Sequence, residues 1–145
     1  MSDTAIKRGR FISHSEGETK AIAAKLSKSL HKGSLLALCG ELGSGKTVFT
    51  KGVAEGLGVK DTRYVSSPSF VIIREYKGRL PIYHFDLYRL TDRDDMETAG
   101  YGEYFYGGGV SVVEWADKIK DVLPKGHIRV DFEVLGTEER RITIT

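Results

Sequence analysis

A glycine-rich segment in the first third of the chain has the composition of a phosphate-binding loop. Residues 40–47 read Gly-Glu-Leu-Gly-Ser-Gly-Lys-Thr and match G-x-x-x-x-G-K-[ST] at every fixed position. Glycines in this pattern let successive backbone N–H groups converge on phosphate oxygens. Lys46 is then expected to contact the outer phosphates, and the Thr47 hydroxyl to coordinate Mg²⁺. The other loop residues expected to border a bound nucleotide are Glu41, Leu42, Gly43, Ser44 and Gly45.

Two apolar runs end in acidic residues that suit the same chemistry. The first is Ile82–Asp86 and the second is Val110–Glu114. Phosphoryl transfer needs a carboxylate for the metal ion and a group that orients the attacking water, commonly at the carboxyl ends of neighbouring strands. Spacing alone does not separate the roles of Asp86 and Glu114. Each is also compatible with a solvent-facing acid at a strand end.

Several nearby residues admit two interpretations each. The hydroxyl-rich segment Ser66–Ser69 is either a switch-like loop that senses phosphate, through Ser67 and Ser69, or a rigid turn. Arg89 and Arg93 either contact phosphate or a partner or, as is more common, belong to a solvated surface. His84 is interpreted as structural because no metal-spaced partner accompanies it. Trp115 directly follows Glu114 and is expected to pack at the margin of the site.

The elements that must position these residues begin with a helix, a strand and a second helix. Ser15 and Glu18 form a capping-box pattern, and a buried stripe of Ile22, Leu26 and Leu30 predicts a helix that stops at Gly33. The apolar run Leu35–Cys39 predicts a parallel strand buried on both faces. A second helix is predicted from Lys46 to residues 56–58, because Phe49, Val53 and Leu57 recur every four residues.

The rest of the chain alternates short strands and turns. A loop is predicted at residues 61–69, and Gly107–Gly109 is a break. The predicted strands are Phe70–Tyr76 and Leu80–Asp86, joined by a turn at residues 77–79, then Val110–Glu114 and a closing antiparallel pair of Ile128–Val134 and Arg140–Thr145 around Gly136. Helices are predicted to start at Thr91–Asp95 and to span Ala116–Leu123. This order predicts a P-loop NTPase-like α/β fold, a three-layer sandwich around a mixed, mostly parallel sheet closed by an antiparallel C-terminal pair.

Length and composition favour a single cytoplasmic domain. The 145 residues are 40% hydrophobic and 29% charged, which excludes disorder, collagen and coiled coil and predicts one domain over residues 1–145 with a loose tip at 1–10. No apolar run approaches the length of a membrane span or signal core, so we expect no membrane association. A net charge of +2 is too weak to indicate nucleic-acid binding. One cysteine, Cys39, excludes an intrachain disulfide, and zinc is not expected with only four histidines.

Taken together, these strings resemble the TsaE (YjeE) family of tRNA threonylcarbamoyladenosine biosynthesis. The resemblance spans about Ser13–Thr145. It rests on the phosphate loop and on four further strings in the family's order: Ser67-Pro68-Ser69-Phe70, His84-Phe85-Asp86-Leu87-Tyr88-Arg89-Leu90, E-x-x-G-x-x-E-Y-F at Glu97–Phe105, and Val113-Glu114-Trp115-Ala116-Asp117. The family usually has threonine where this chain has Ser69.

The resemblance implies an ATPase that uses ATP and Mg²⁺ and acts with the TsaD and TsaB proteins, with tRNA reached indirectly through that complex. It implies that Lys46 contacts phosphates and that Thr47 and Glu114 hold Mg²⁺. It also implies that Asp86 either activates water or contacts a group that coordinates the metal. Arg89 and Trp115 become candidate partner or phosphate contacts, and residues 13–16 fall where the family borders adenine. The alternatives are a small-molecule or nucleoside kinase, which this length leaves little room for, and a nucleotide-dependent binding module. A GTPase is disfavoured because N-K-x-D is absent, and a transporter ATPase because L-S-G-G-Q is absent.

Overall fold

Seven strands form a single mixed sheet in the computed structural model, which describes residues 8–60, 73–90 and 94–145. The strands are β1 (Gly9–Ser13), β2 (Leu35–Cys39), β3 (Ile73–Tyr76), β4 (Ile82–Asp86), β5 (Val110–Glu114), β6 (Ile128–Val134) and β7 (Arg140–Ile144). Their order across the sheet is β1-β7-β6-β2-β5-β4-β3. The strand β2, which leads into the phosphate loop, therefore lies at the centre.

The pairing directions separate a parallel centre from antiparallel edges. Strand β2 is parallel to both β5 and β6, and β4 is parallel to β5. The β3–β4, β6–β7 and β1–β7 pairs are antiparallel. All five residues of β2 and of β5 are buried, as expected of central parallel strands that carry helices on both faces. The predicted mixed α/β sheet with an antiparallel C-terminal pair is confirmed.

Helices cover both faces of this sheet and produce three layers. They are α1 (Glu16–Ser27), α2 (Lys46–Gly56), α3 (Asp94–Thr98), α4 (Tyr101–Phe105) and a 3-10 helix (Ala116–Val122). One core cluster joins α1 and α2 to a sheet face that includes Leu36, Val112 and Val130. The other joins α3, α4 and the 3-10 helix to the opposite face, which includes Ala37 and Phe85. No helix in the described part of the chain is long and apolar enough to cross a membrane.

The first helix differs from its prediction at its C-terminal end and on its buried face. The Ser15 hydroxyl caps it by accepting the Glu18 N–H at 3.1 Å, as predicted. The helix ends at Ser27, however, so Gly33 as its stop is wrong, and Leu30 is buried beyond the helix. Ile22 is only partly buried. The buried face instead carries Thr19, Ala23, Leu26 and Ser27.

Close packing between α1 and α2 explains that face. A Cβ atom at Gly52 of α2 would lie 2.7 Å from the Ala23 Cβ and 2.5 Å from the Lys20 carbonyl oxygen, and a Cβ at Gly56 would collide with Ser27. The two helices therefore approach through small residues, and a pattern of large apolar residues does not reveal such a face.

Other predicted boundaries are adjusted or lie outside the described residues. The β3–β4 hairpin is confirmed, with β3 described from Ile73. Its connection spans residues 77–81 rather than the predicted 77–79, because β4 begins at Ile82 and not at Leu80. The predicted 61–69 loop and the helix start at Thr91–Arg93 lie outside the described residues, and α3 is described from Asp94. The helix predicted at Ala116–Leu123 is a 3-10 helix interrupted by non-helical dihedrals at Ile119. Residues 9–13 of the N-terminal segment form β1.

Candidate functional site

The phosphate loop connects the end of β2 to the first turn of α2 and depends on glycine at two positions. Gly45 has φ 110°, a left-handed value that side chains disfavour. A Cβ atom at Gly40 would lie 2.7 Å from the Ser44 Oγ and 3.0 Å from the Phe132 carbonyl oxygen. Because no side chain caps α2, its backbone N–H groups and its positive dipole end face the loop. This is the geometry of an anion-binding helix terminus.

Lys46 lies folded against this loop. Its Nζ donates hydrogen bonds to the carbonyl oxygens of Gly40 at 2.5 Å and Glu41 at 2.9 Å. The same ammonium lies 4.1 Å from the centre of the Trp115 ring, within cation–π range. Burial lowers the pKa of Lys46, and the carboxylates of Glu114 and Asp86 oppose that shift. The site thus holds one buried cation beside two acids.

Asp86 and Glu114 are direct neighbours in the sheet. They are register partners on the parallel strands β4 and β5, each the last residue of its strand. Both are buried, at 5% and 2% exposure. Asp86 Oδ1 accepts the Tyr88 N–H at 2.9 Å. Burial nevertheless raises the pKa of Asp86, and the negative charge of Glu114 adds to that shift.

His84 forms a buried hydrogen bond with Glu114 that the sequence analysis did not predict. Its Nε2 lies 2.7 Å from Glu114 Oε2, and both side chains are at most 3% exposed. Its Nδ1 is also buried and has no hydrogen-bond partner within the described residues. The interpretation of His84 as a purely structural strand residue therefore omitted a contact to a candidate site carboxylate.

A cavity of about 540 Å³ unites these groups. This volume lies within the range of small-molecule sites. Of the predicted site residues it is lined by Leu42, Gly43, Gly45, Lys46, Thr47, Asp86, Arg89, Glu114 and Trp115. The other two predicted loop residues lie elsewhere: Ser44 is buried, and Glu41 lines an adjoining open groove. Ser67, Ser69 and Arg93 lie outside the described residues.

Two distant segments complete the cavity wall. One is the start of α1, where Ser15 and Glu16, from the segment expected to border adenine, are joined by Thr19. The other is the turn between β6 and β7, which contributes Thr137, Glu138 and Arg140. Arg140 Nη2 also donates to the Gly43 carbonyl oxygen at 3.2 Å. The sequence analysis did not identify Thr19 or the residues of the β6–β7 turn, because no local pattern indicates which turn meets the loop.

Trp115 adopts an unusual backbone conformation at the cavity edge. Among non-glycine residues in the described ranges it alone has a positive φ, 62°. Its N–H donates to the Leu38 carbonyl oxygen at 3.0 Å, and its ring centre lies 5.2 Å from that of Tyr88. Left-handed conformations of bulky residues are held against strain by their surroundings and often occur at functional sites. Trp115 therefore lines the candidate cavity beside Lys46.

The donor set suits a hard cation bound together with phosphate. The cavity presents a hydroxyl from Thr47 and carboxylates from Asp86 and Glu114. Across residues 8–60, 73–90 and 94–145, no cluster of three His, Cys, Asp or Glu side chains is placed to hold a metal ion. Mg²⁺ prefers oxygen ligands and commonly takes one or two carboxylates, with water and substrate phosphates completing its shell. The residues present therefore fit Mg²⁺ together with a nucleotide.

The parallel sheet centre, the phosphate loop and the paired strand-end acids define an α/β protein of the P-loop NTPase type. The chain matches the family model described as threonylcarbamoyl adenosine biosynthesis protein TsaE over residues 13–142. The chain belongs to the TsaE family and thus to tRNA threonylcarbamoyladenosine biosynthesis.

Individual relatives agree with this assignment. The tRNA threonylcarbamoyladenosine biosynthesis protein TsaE of Bacillus subtilis is 50% identical over 129 residues, which cover 88% of this chain and 79% of the relative. The protein of that name from Treponema pallidum is 37% identical over 135 residues, covering 93% and 98%. The crystal structure of Bacillus subtilis YdiB matches with a TM-score of 0.76 and 40% identity, covering 95% of this chain and 84% of that one.

Proposed function

We propose that this chain binds ATP with Mg²⁺ and hydrolyses it, and that this ATPase activity serves the TsaD and TsaB proteins during tRNA threonylcarbamoyladenosine formation. The observation that carries the proposal is the meeting of Lys46, Thr47, Asp86 and Glu114 in one cavity beside the uncapped start of α2. An anion-binding loop, a cation and two acids are the parts that phosphoryl transfer requires.

Each group has a distinct task in this proposal. The backbone N–H groups of the loop and the α2 dipole bind the phosphates. Lys46 exchanges its bonds to loop carbonyls for bonds to the outer phosphate oxygens. Thr47 and Glu114 hold Mg²⁺, which supplies electrostatic stabilisation of the transferred phosphoryl group. Asp86 orients and deprotonates the attacking water, and its burial supports this role because a carboxylate of raised pKa is a stronger base.

The proposed partners follow from the family rather than from a surface of this chain. Membership in a tRNA-modifying family supports action within a protein complex in the cytoplasm, with tRNA reached through that complex. In this proposal ATP turnover resets the TsaD–TsaB pair between modification cycles. Arg89 and Trp115 line the cavity together with the exposed Tyr88, and are our candidates for sensing the partner.

The test is Mg²⁺-dependent phosphate release by the purified chain, measured alone and with the TsaD–TsaB pair. We expect slow release alone and strong stimulation by the pair. Lys46→Ala should abolish both, since loss of one such catalytic group typically costs about 100-fold or more. Lys25→Ala is the matched control, because Lys25 is an exposed lysine on α1 outside the cavity. Full turnover in folded Lys46→Ala protein would refute the ATPase proposal. ATP turnover that does not change when the TsaD–TsaB pair is added would refute the proposed partners and favour the kinase alternative.

A further inference from the structure

We propose that His84 is a positioning residue that fixes the orientation of the Glu114 carboxylate for metal binding. This inference rests on the proposed Mg²⁺-dependent nucleotide site. His84 is fully buried and does not line the cavity, whereas Glu114 does. Its contact with the cavity lining is therefore made through Glu114.

The sheet geometry places His84 behind the acid. Side chains alternate along a strand, so His84 and Asp86 of β4 share one face with Val112 and Glu114 of β5. Towards the start of these strands the same face is apolar, with Ile82 and Val110 in the core beneath α1 and α2. His84 is thus the boundary between the dry core and the polar end of the two strands.

The hydrogen bond determines which ring nitrogen carries the proton. An ionised carboxylate only accepts hydrogen bonds, so the 2.7 Å contact to Glu114 Oε2 requires a proton on Nε2. The opposite nitrogen, Nδ1, is buried and has no partner within the described residues, so protonating it would leave an N–H unsatisfied. The contact therefore identifies the Nε2–H group as the donor to Glu114 Oε2.

This bond restricts the rotation of Glu114. A glutamate side chain has three rotatable bonds, and burial alone does not specify the direction of its terminal carboxylate. The hydrogen bond from His84 in the neighbouring strand to Oε2 restricts the orientation of the carboxylate before an ion arrives. Partners of this kind behind a metal ligand typically contribute a factor of about 10 to 100 in metal affinity.

Three substitutions distinguish positioning from packing. His84→Leu keeps an apolar side chain in the core and removes the donor. His84→Gln and His84→Asn both supply an amide N–H, but only the longer glutamine reaches the position of Nε2. We expect His84→Leu and His84→Asn to raise the apparent Mg²⁺ dissociation constant about 10-fold or more. His84→Gln should stay near the wild-type value.

The binding experiment is calorimetry of a non-hydrolysable ATP analogue, with Mg²⁺ titrated and with Mg²⁺ removed by EDTA. We expect affinity in EDTA to change by no more than about twofold in the variants, because the loop that binds phosphate does not involve His84. Unchanged Mg²⁺ dependence in all three variants would overturn the proposal, whatever their thermal stability. If the wild type itself binds no analogue, the proposed nucleotide function fails instead.

A metal-free measurement tests the same geometry without nucleotide, and its first readout needs only the wild-type protein. Long-range ¹H–¹⁵N spectra of the histidine rings report which nitrogen of His84 carries the proton. We expect the Nε2–H tautomer and a shift of its signals in Glu114→Gln. An Nδ1–H tautomer, or signals indifferent to Glu114→Gln, would overturn the proposed contact.

Discussion

Replacing His84 and Glu114 by leucine, singly and together, should show that the two residues form one energetic unit. Both side chains are at most 3% exposed, so solvent does not screen their interaction. His84→Leu removes the imidazole donor from the buried Glu114 carboxylate, and we expect a cost of about 3 kcal/mol, at the low end for a broken buried pair because Glu114 also lines the cavity. Glu114→Leu leaves the buried Nε2–H of His84 without its acceptor, at a cost of about 2 kcal/mol.

The double variant should be more stable than the sum of these losses indicates. With both polar groups replaced by apolar ones, neither the donor nor the acceptor of the His84–Glu114 hydrogen bond is left without the other. We expect a coupling free energy of about 2 kcal/mol. At roughly 4 °C per kcal/mol for a chain of this size, the single variants should melt about 12 °C and 8 °C below wild type. The double variant should melt about 12 °C below wild type rather than about 20 °C.

The assay is urea and thermal denaturation in EDTA without nucleotide. Under these conditions ligand binding adds nothing to stability, and only the interaction between His84 and Glu114 is tested. Equal denaturant slopes across the four proteins are required before the free energies are compared. Effects that add within about 0.5 kcal/mol would show that the two side chains do not interact, and would refute the assigned hydrogen bond.

Two more predictions concern Asp86 and Gly40. Because burial raises the pKa of Asp86, the folded chain binds this proton more tightly than the unfolded chain, and the ionised group costs stability as pH rises through the folded pKa. Asp86→Asn should therefore raise the melting temperature relative to wild type at about pH 8, and this difference should shrink towards about pH 4. A difference in melting temperature that does not depend on pH would contradict the raised pKa of Asp86. Gly40→Ala should lower stability by about 1 to 3 kcal/mol and weaken nucleotide affinity, because its Cβ would lie 2.7 Å from Ser44 Oγ and 3.0 Å from the Phe132 carbonyl oxygen. Denaturation measures the stability loss, and titration with the ATP analogue measures the affinity. Gly33→Ala is the control for left-handed strain away from the cavity. Wild-type affinity in Gly40→Ala would refute the close approach of the Gly40 backbone to Ser44 and Phe132.

The parts of the fold with strong local patterns were predictable from the sequence. The apolar run of β2 and the four-residue repeat of α2 confirm their predictions, because burial on two faces or on one stripe directly shapes composition. The C-terminal end of α1 was not predictable in this way. Its contact with α2 uses Ala23 and Ser27 against glycines, and small residues carry little hydrophobic signal.

In the candidate site, too, the local motifs were predictable from the sequence and the tertiary contacts were not. The phosphate loop and the strand-end acids are local motifs, so their types and spacing were sufficient to identify them. The pairing of His84 with Glu114 depends on strand register between segments 30 residues apart. The contribution of Arg140 depends on the fold bringing it to Gly43, 97 residues away in the chain. Such juxtapositions arise from tertiary structure, and a single sequence carries no direct record of them.

The pairing of β1 with β7 sets the order in which the molecule can be completed during synthesis. Gly9–Ser13 pairs with Arg140–Ile144 and, in the described sheet, has no other neighbouring strand. Within the described sheet, β1 therefore cannot pair until β7 has been synthesised. Ser15, which lines the cavity, lies two residues after β1. The cavity wall at the start of α1 therefore gains its anchor only once β7 has been synthesised, through contacts of high sequence separation that form slowly.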